Sequence, residues 1–325
     1  MSSSTVAAPV RRARPSLQAP SAVVMVRPHR FRVNHETAAD NVFQTESDGG
    51  YAAPLAAAAF AEVTTLAELL TSRGVTVHLF DDESADRPDS VFPNNWLSTH
   101  RGGRIVVYPM HAANRRLERR HDVIDTLKAQ YRVQDVIDYS GLEHDGLFLE
   151  GTGAMVLDRL GHVAYVARSR RADPMILERF CTHNGYEPMA FDAVDETGTA
   201  IYHTNVVMCV GTEFALICLD AIVDPARRAE VADRLVRSGR HVVDLSHQQL
   251  RDFAANAYEL TGSDGPMLAM SARARRALRP DQRTVLERSA DIVAVDIPTI
   301  ELAGGSVRCM LAGVHLDRRP EAACD

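Results

Sequence analysis

The chain has no uninterrupted apolar run that approaches the ~18 residues a membrane span requires, so no spanning segment is expected. It also lacks an excess of positive charge, with 36 Lys and Arg against 43 Asp and Glu and a net charge of −7. That balance gives no electrostatic basis for binding nucleic acid or an anionic membrane. HExxH is absent, and neither histidines nor cysteines show a clustered ligand spacing, so no metal is expected. The five cysteines, Cys181, Cys209, Cys218, Cys309 and Cys324, form no CxxC and match no zinc motif. An odd count without a secretory leader points to reduced thiols in a cytoplasm. A nucleotide loop is missing too. The GTGA at 151–154 lacks the third glycine of the dinucleotide fingerprint and leads into a strand, so no cofactor is expected.

What is present suits a sizeable globular core: 325 residues, 46% of them hydrophobic. The first 21 residues are basic, free of acids and rich in Ser, Ala and Pro. They read as a disordered tail; a transit peptide or twin-arginine signal is the other reading, but no apolar stretch follows Arg11 and Arg12. Order is expected over 22–318, as one domain, with a short tail at 319–325. SAVVMVRP reads as a buried strand, 54–73 as a helix stopped by Gly74, and 114–128 as a charged amphipathic helix. FLEGTGAMVLDRLGHVAYVA and HTNVVMCVGTEFALICL read as hairpins turning at 159–161 and 211–212. Hairpin, helix and strand recur without a long linker, which argues a single α/β domain of repeated modules. A homo-oligomer is neither required nor excluded.

Three reactive groups stand alone in otherwise apolar surroundings: Glu150 in FLEG, His203 in YHTN and Cys309 in GGSVRCM. Each alone has an ordinary explanation, a packed thiol or a bonded core histidine. A carboxylate between Leu149 and Gly151 is harder to bury without a partner, at a cost of several kcal/mol. Together the three make a covalent-catalysis set of nucleophile, acid/base and carboxylate. Gly304 and Gly305 precede the cysteine segment and leave room for a substrate to approach the backbone. The other cysteines fit core packing, and His315 and Trp96 fit burial. Residues 38–51, with Gly49 and Gly50, read as a flap or a plain surface loop.

Five segments in order, MVRPHRFRVNHETAADNVFQ, PDSVFPNNW, FLEGTG, YHTNVVM and GGSVRCM, resemble the pentein superfamily of guanidine-modifying enzymes. The likeness runs from about residue 23 to 316 and is nearest the citrulline-utilisation hydrolase and arginine dihydrolase branch. It implies a five-bladed α/β propeller with pseudo-fivefold symmetry and a central substrate channel. It implies Cys309 as nucleophile, His203 as general acid/base, and Glu150 as the group that orients the histidine or holds substrate nitrogens. The partner it implies is a small amino-acid substrate. Arg170, with Arg168 as second choice, would grip the substrate carboxylate, and Asp89 its α-amine. Asn34 or Asn41 would reach the channel, Asn34 by preference, although either could cap the helix expected near His35.

This chain departs from the deiminases of that superfamily. They typically carry aspartate where Asn95 and Asn205 stand, and Gly-Gly-Asp after the glutamate, where Gly151, Thr152 and Gly153 follow Glu150 here. A guanidinium offers only donors and a positive charge, and a carboxylate is its complement. A ureido group is neutral and adds a carbonyl acceptor, which a carboxylate would oppose at roughly 1–3 kcal/mol. An asparagine supplies one donor and one acceptor. The expected reaction is therefore hydrolysis of citrulline to ornithine, ammonia and carbon dioxide, with Asn95, Asn94, Asn34 and Asn205 near the ureido group. Arginine dihydrolase, arginine deiminase, amidinotransferase and a non-catalytic binding protein are the alternatives.

Overall fold

A computed structural model describes residues 16–38, 41–45 and 53–320. The ends of both expected tails, with Cys324, and most of the expected flap at 38–51 lie outside the described residues. Residues 16–21, assigned to the tail by composition, are packed: Gln18 Nε2 donates to Leu157 O and Val210 O, both at 2.9 Å.

The strands form five three-stranded sheets. In chain order they are β1 (Ala22–Pro28), β2 (Thr76–Asp82), β3 (Leu97–His100), β4 (Arg104–Val107) and β5 (Asp135–Asp138), followed by β6 (Val156–Asp158), β7 (Val163–Ala167) and β8 (Glu187–Phe191). Then come β9 (Met208–Val210), β10 (Phe214–Ile217), β11 (His241–Asp244), β12 (Tyr258–Thr261), β13 (Pro266–Ser271), β14 (Asp291–Val295) and β15 (Ala312–Gly313). Each sheet repeats one plan. The first strand pairs antiparallel with the second, which pairs parallel with the third. A parallel pair needs a crossover, and a helix supplies each one: His121–Gln130, Pro174–Asn184 and Pro225–Arg237 in three of the modules. The remaining sheet is assembled from both chain ends. β15 pairs antiparallel with β1, and β1 parallel with β2, so C-terminal chain takes the first-strand place.

Short turns do the positioning. A one-turn helix ends just before a first strand at Pro93–Asn95, Gly151–Ala154 and Thr204–Val206. Cys309 sits on a turn before β15, and Asn256 just before β12. The GGSVRCM segment, despite the apolar content of a strand, is therefore a turn up to Met310, with only Ala312–Gly313 extended. GTGA is itself a helical turn, and it leads into β6 as expected.

Two further expectations are amended. The 114–128 helix is split into a 3-10 turn, Asn114–Glu118, and the helix His121–Gln130, with Arg115 and Glu118 buried on the turn. The helix Ala53–Ser72 is long and apolar enough, by length and mean composition, to cross a membrane, although Glu62 and Glu68 interrupt it. Its stripe of Ala56, Ala59, Val63, Leu66, Ala67 and Leu70 is buried in the core that β1 supplies with Val23 and Met25.

Candidate active site

The turns converge on a narrow cavity lined by Thr37, Asn41, Asp89, Phe92, Asn95, Arg115, Arg171, Tyr202, His203, Ala303, Gly305 and Cys309. Its free space is about 10 Å3, roughly one water. Cys309 and His203 thus face one space, although 106 residues separate them in sequence.

Glu150 lies directly behind the histidine and is fully buried. His203 Nε2 is 2.8 Å from Glu150 Oε2. An ionised carboxylate only accepts, so Nε2 carries the proton and Nδ1 is the nitrogen free to exchange one. Glu150 Oε1 accepts from His111 N at 3.0 Å, and Arg171 and Arg115 approach Oε2 at 3.5 and 3.7 Å. Burial alone would lift the Glu150 carboxyl; Arg171, the His203 bond and Arg115 overcome it and hold it below the usual carboxylate range. Burial depresses His203 below its ordinary value, against the opposing pull of Glu150. The resting pair is therefore carboxylate and neutral imidazole.

Cys309 Sγ receives two carboxamide N–H groups, from Asn205 Nδ2 and Asn256 Nδ2, each at 3.2 Å. Such donors complement sulfur better as an anion than as a thiol. Asn256 also fixes the turn. Its Oδ1 accepts from Ser306 N at 3.1 Å and Cys309 N at 3.4 Å, and its Nδ2 reaches Asn205 O at 3.1 Å. Gly305 lets Phe92 and Cys309 pack close, since a Cβ there would stand 2.7 Å from the Phe92 ring.

Asn95 is buried, and its carboxamide is oriented by its neighbours. The oxygen accepts from Arg115 Nη1 and Nη2 at 2.9 and 3.1 Å, and the nitrogen donates to Asn94 Oδ1 at 3.0 Å. One N–H of Asn95 is left over, and the residue lines the cavity. Asn94 is buried behind it, outside the lining. Gly153 makes this approach feasible: a Cβ there would stand 2.2 Å from the Asn95 carboxamide and 2.9 Å from the His203 ring.

The other candidates separate. Asp89 lines the cavity, accepts from Asn34 Nδ2 at 2.7 Å and lies 3.6 Å from Arg115 Nε. Burial raises its pKa despite both partners. Asn34 is outside the lining; it caps the turn His35–Thr37 through Glu36 N and pairs amide to amide with Asn114. Asn41 reaches the cavity instead, with Nδ2 on Ala303 O at 3.0 Å, and Gly304 leaves the room it occupies. Asn205 touches sulfur rather than the lining. Arg170 and Arg168 are exposed, and Arg168 pairs with Asp192. The neighbouring Arg171 turns inward, its guanidinium 4.6 Å from the Tyr202 ring centre. Arg115, Arg171 and Asn256 were not singled out by sequence. A cue for Asn256 was available, because AANAYELT repeats the pattern of NNWLSTH and HTNVVMCV, an amide turn before a strand. No group of three or more His, Cys, Asp or Glu able to hold a metal exists among the described residues.

Residues 27–316 match the family model described as N,N dimethylarginine dimethylhydrolase, eukaryotic. No curated protein matches the sequence. Among solved structures, the N-terminal domain of a substituted ArgZ, covalently bound to a reaction intermediate, superposes with a TM-score of 0.69 at 17% identity, over 91% of this chain and 99% of that one. Full-length ArgZ is described as an arginine dihydrolase from cyanobacteria, and the chain covers 40% of it. Unliganded AgrE gives 0.71 at 16% identity, covering 94% of this chain and 40% of that one. A dimethylarginine dimethylaminohydrolase adduct with S-methyl-L-thiocitrulline gives 0.60 at 13% identity, over 90% and 99%.

Proposed function

The chain belongs to the N,N dimethylarginine dimethylhydrolase family, within the pentein superfamily of guanidino-modifying hydrolases, and from that premise we propose a cysteine hydrolase that cleaves the ureido group of citrulline to ornithine, ammonia and carbon dioxide. The five sheets are read as blades of one α/β propeller around the cavity. A reducing cytoplasm belongs to the same reading, because Cys309 acts only as a free, unoxidised thiol.

The observation that carries the proposal is Asn95, an uncharged carboxamide on the lining whose orientation Arg115 and Asn94 fix, while Arg115 and Arg171 beside it are already paired with Glu118 and Glu150. A guanidinium offers only donors and would oppose the spare N–H, whereas a neutral ureido head supplies the acceptor it needs. An α-carboxylate finds a cationic neighbour in Arg171 on the same lining. The spare N–H of Asn95 suits the ureido oxygen, more so as charge grows on it.

In the reaction, His203 Nδ1 takes the Cys309 thiol proton and sulfur bonds to the ureido carbon. The bond from that carbon to the δ-nitrogen breaks as Nδ1 returns the proton, and ornithine leaves a carbamoyl thioester. Water, giving its proton to Nδ1, attacks the thioester; sulfur departs and is reprotonated. The carbamic acid released falls to ammonia and carbon dioxide.

A second reading, arginine dihydrolase, is favoured by the solved relatives, one of which is described as bound to L-arginine. It adds one hydrolysis before the same final step. The test gives purified protein citrulline, arginine and N,N-dimethylarginine in separate reactions and quantifies ornithine, citrulline and ammonia. The proposal expects ornithine and ammonia in equal amounts from citrulline, and none from a Cys309→Ala variant. Two ammonia per ornithine from arginine, with citrulline a poorer substrate, selects the second reading. Citrulline accumulating as an inert end product removes both.

A further inference from the structure

Behind the nucleophile turn lies a second cavity, lined in part by Arg159, Arg308, Thr152, Gln18, Tyr258 and Cys209. Its free space is about 20 Å3, the scale of one or two waters. Four arginines are buried among the described residues: Arg115, Arg171, Arg240 and Arg308. Arg115 faces Glu118, Arg171 faces Glu150 and Arg240 faces Asp158. Arg308, 9% exposed, has no carboxylate oxygen within 4.0 Å among the described residues. Its guanidinium donates from Nη1 to Leu311 O at 2.9 Å and stacks 4.0 Å over the Tyr258 ring, which leaves further N–H groups toward the cavity. Arg159, half-buried on the rim, likewise has no carboxylate within that distance.

The surroundings do not neutralise this charge. His315, 3.3 Å from Tyr258 Oη, is buried, and burial with the charges of Arg159, Arg308 and Arg101 keeps it well below its ordinary pKa. The acid on β12, Glu259, is turned to Thr212, whose N and Oγ1 both lie 2.7 Å from Oε2. A buried guanidinium without a counter-charge is unfavourable, and a chain of net charge −7 gives no general reason for one.

We propose that this cavity is an oxyanion site, where a small phosphate- or carboxylate-class anion bonds Arg308 and Arg159, with Thr152 alongside. The site touches the reaction centre from behind. Arg308 directly precedes Cys309, and its backbone N donates to Asn256 O at 3.2 Å. Thr152 lies two residues after Glu150, with Oγ1 on Asn94 O at 3.2 Å. A bound anion therefore braces the turn of the nucleophile through Arg308, next to the turn of the carboxylate, without entering the substrate cavity.

The experiment needs no substrate. The full chain is unfolded thermally at constant ionic strength while inorganic phosphate, or succinate in a second arm, replaces chloride. Binding to the folded state alone raises Tm saturably with ligand concentration. The expected result is a saturable rise with phosphate that is lost in Arg308→Gln. Arg159→Gln, on the rim and safer for folding, should weaken the apparent affinity at least tenfold. A rise with succinate as well extends the ligand to carboxylates. No saturable rise over chloride, or the same rise in Arg159→Gln as in wild type, overturns the site.

Discussion

Asn95 is held at both ends, by Arg115 at its oxygen and Asn94 at its nitrogen, so its remaining N–H has a fixed direction. Asn95→Asp would keep the bond to Arg115 and replace that donor with an acceptor. Citrulline kcat/KM should fall tenfold or more, about 1–3 kcal/mol for an unmet carbonyl; unchanged steady-state kinetics would show that Asn95 does not choose the substrate. His203 gives a second test. Its lowered pKa means the free enzyme loses its base only below the ordinary histidine range. The acid limb of kcat/KM should lie below pH ~6.5. Glu150 raises the His203 value, so Glu150→Gln should move that limb to lower pH and cut kcat by roughly 10²–10⁴. A limb unmoved in Glu150→Gln would uncouple the pair. Glu150, His203 and Cys309 were legible because each is a reactive group in an apolar segment. Arg115 in NRRLERR and Arg171 in SRRAD were not, since either reads as a solvated charge. The inward turn of Arg171 rather than Arg170 depends on one backbone step that no periodicity encodes.

At the scale of elements, the recurring device is a helical turn that ends where a first strand begins. Such a turn aims one side chain inward, and the strand then anchors it through its antiparallel ladder. Gly151–Ala154 shows how tightly the turns fit: Gly151 has φ +45, and a Cβ there would stand 2.5 Å from Asn94 O. Gly153→Ala should cost about 1–3 kcal/mol from overpacking. It should lower kcat far more than that loss explains, because the atoms it meets belong to Asn95 and His203. Thermal unfolding alongside turnover checks this; normal activity in the alanine variant would mean the turn is loose. Hairpins and crossover helices were readable from alternation, proline starts and glycine stops, as at Asp173–Pro174 and Gly185. The turns were not. Three or four residues are too few for a helical period, and SVRCM has the apolar content of a strand.

At the scale of the molecule, C-terminal chain completes the sheet of β1, and Cys309, the proposed nucleophile, lies three residues before that seam. The repeat of modules was visible in sequence; the pairing of β15 with β1 was not, because Ala312–Gly313 is too short to announce itself. Gly313 packs against Tyr258 and Pro20, where a Cβ would stand 2.2 and 3.0 Å away. Gly313→Val should therefore lower Tm and, by loosening the seam, activity as well. Loss of Tm with full activity would separate the seam from the site. The cavity sets the uncharged Asn95 carboxamide in the same lining as the Cys309 thiol, with its two arginines paired to Glu118 and Glu150, which is the basis for assigning it a neutral, urea-like group. The most direct measurement follows citrulline labelled with 13C at the ureido carbon, by NMR, with rapid-quench mass spectrometry of the protein. The account predicts label passing into bicarbonate at the rate ornithine forms, with a transient carbamoyl adduct on Cys309. Label that stays in citrulline, while the same enzyme converts arginine or dimethylarginine to citrulline, would contradict it.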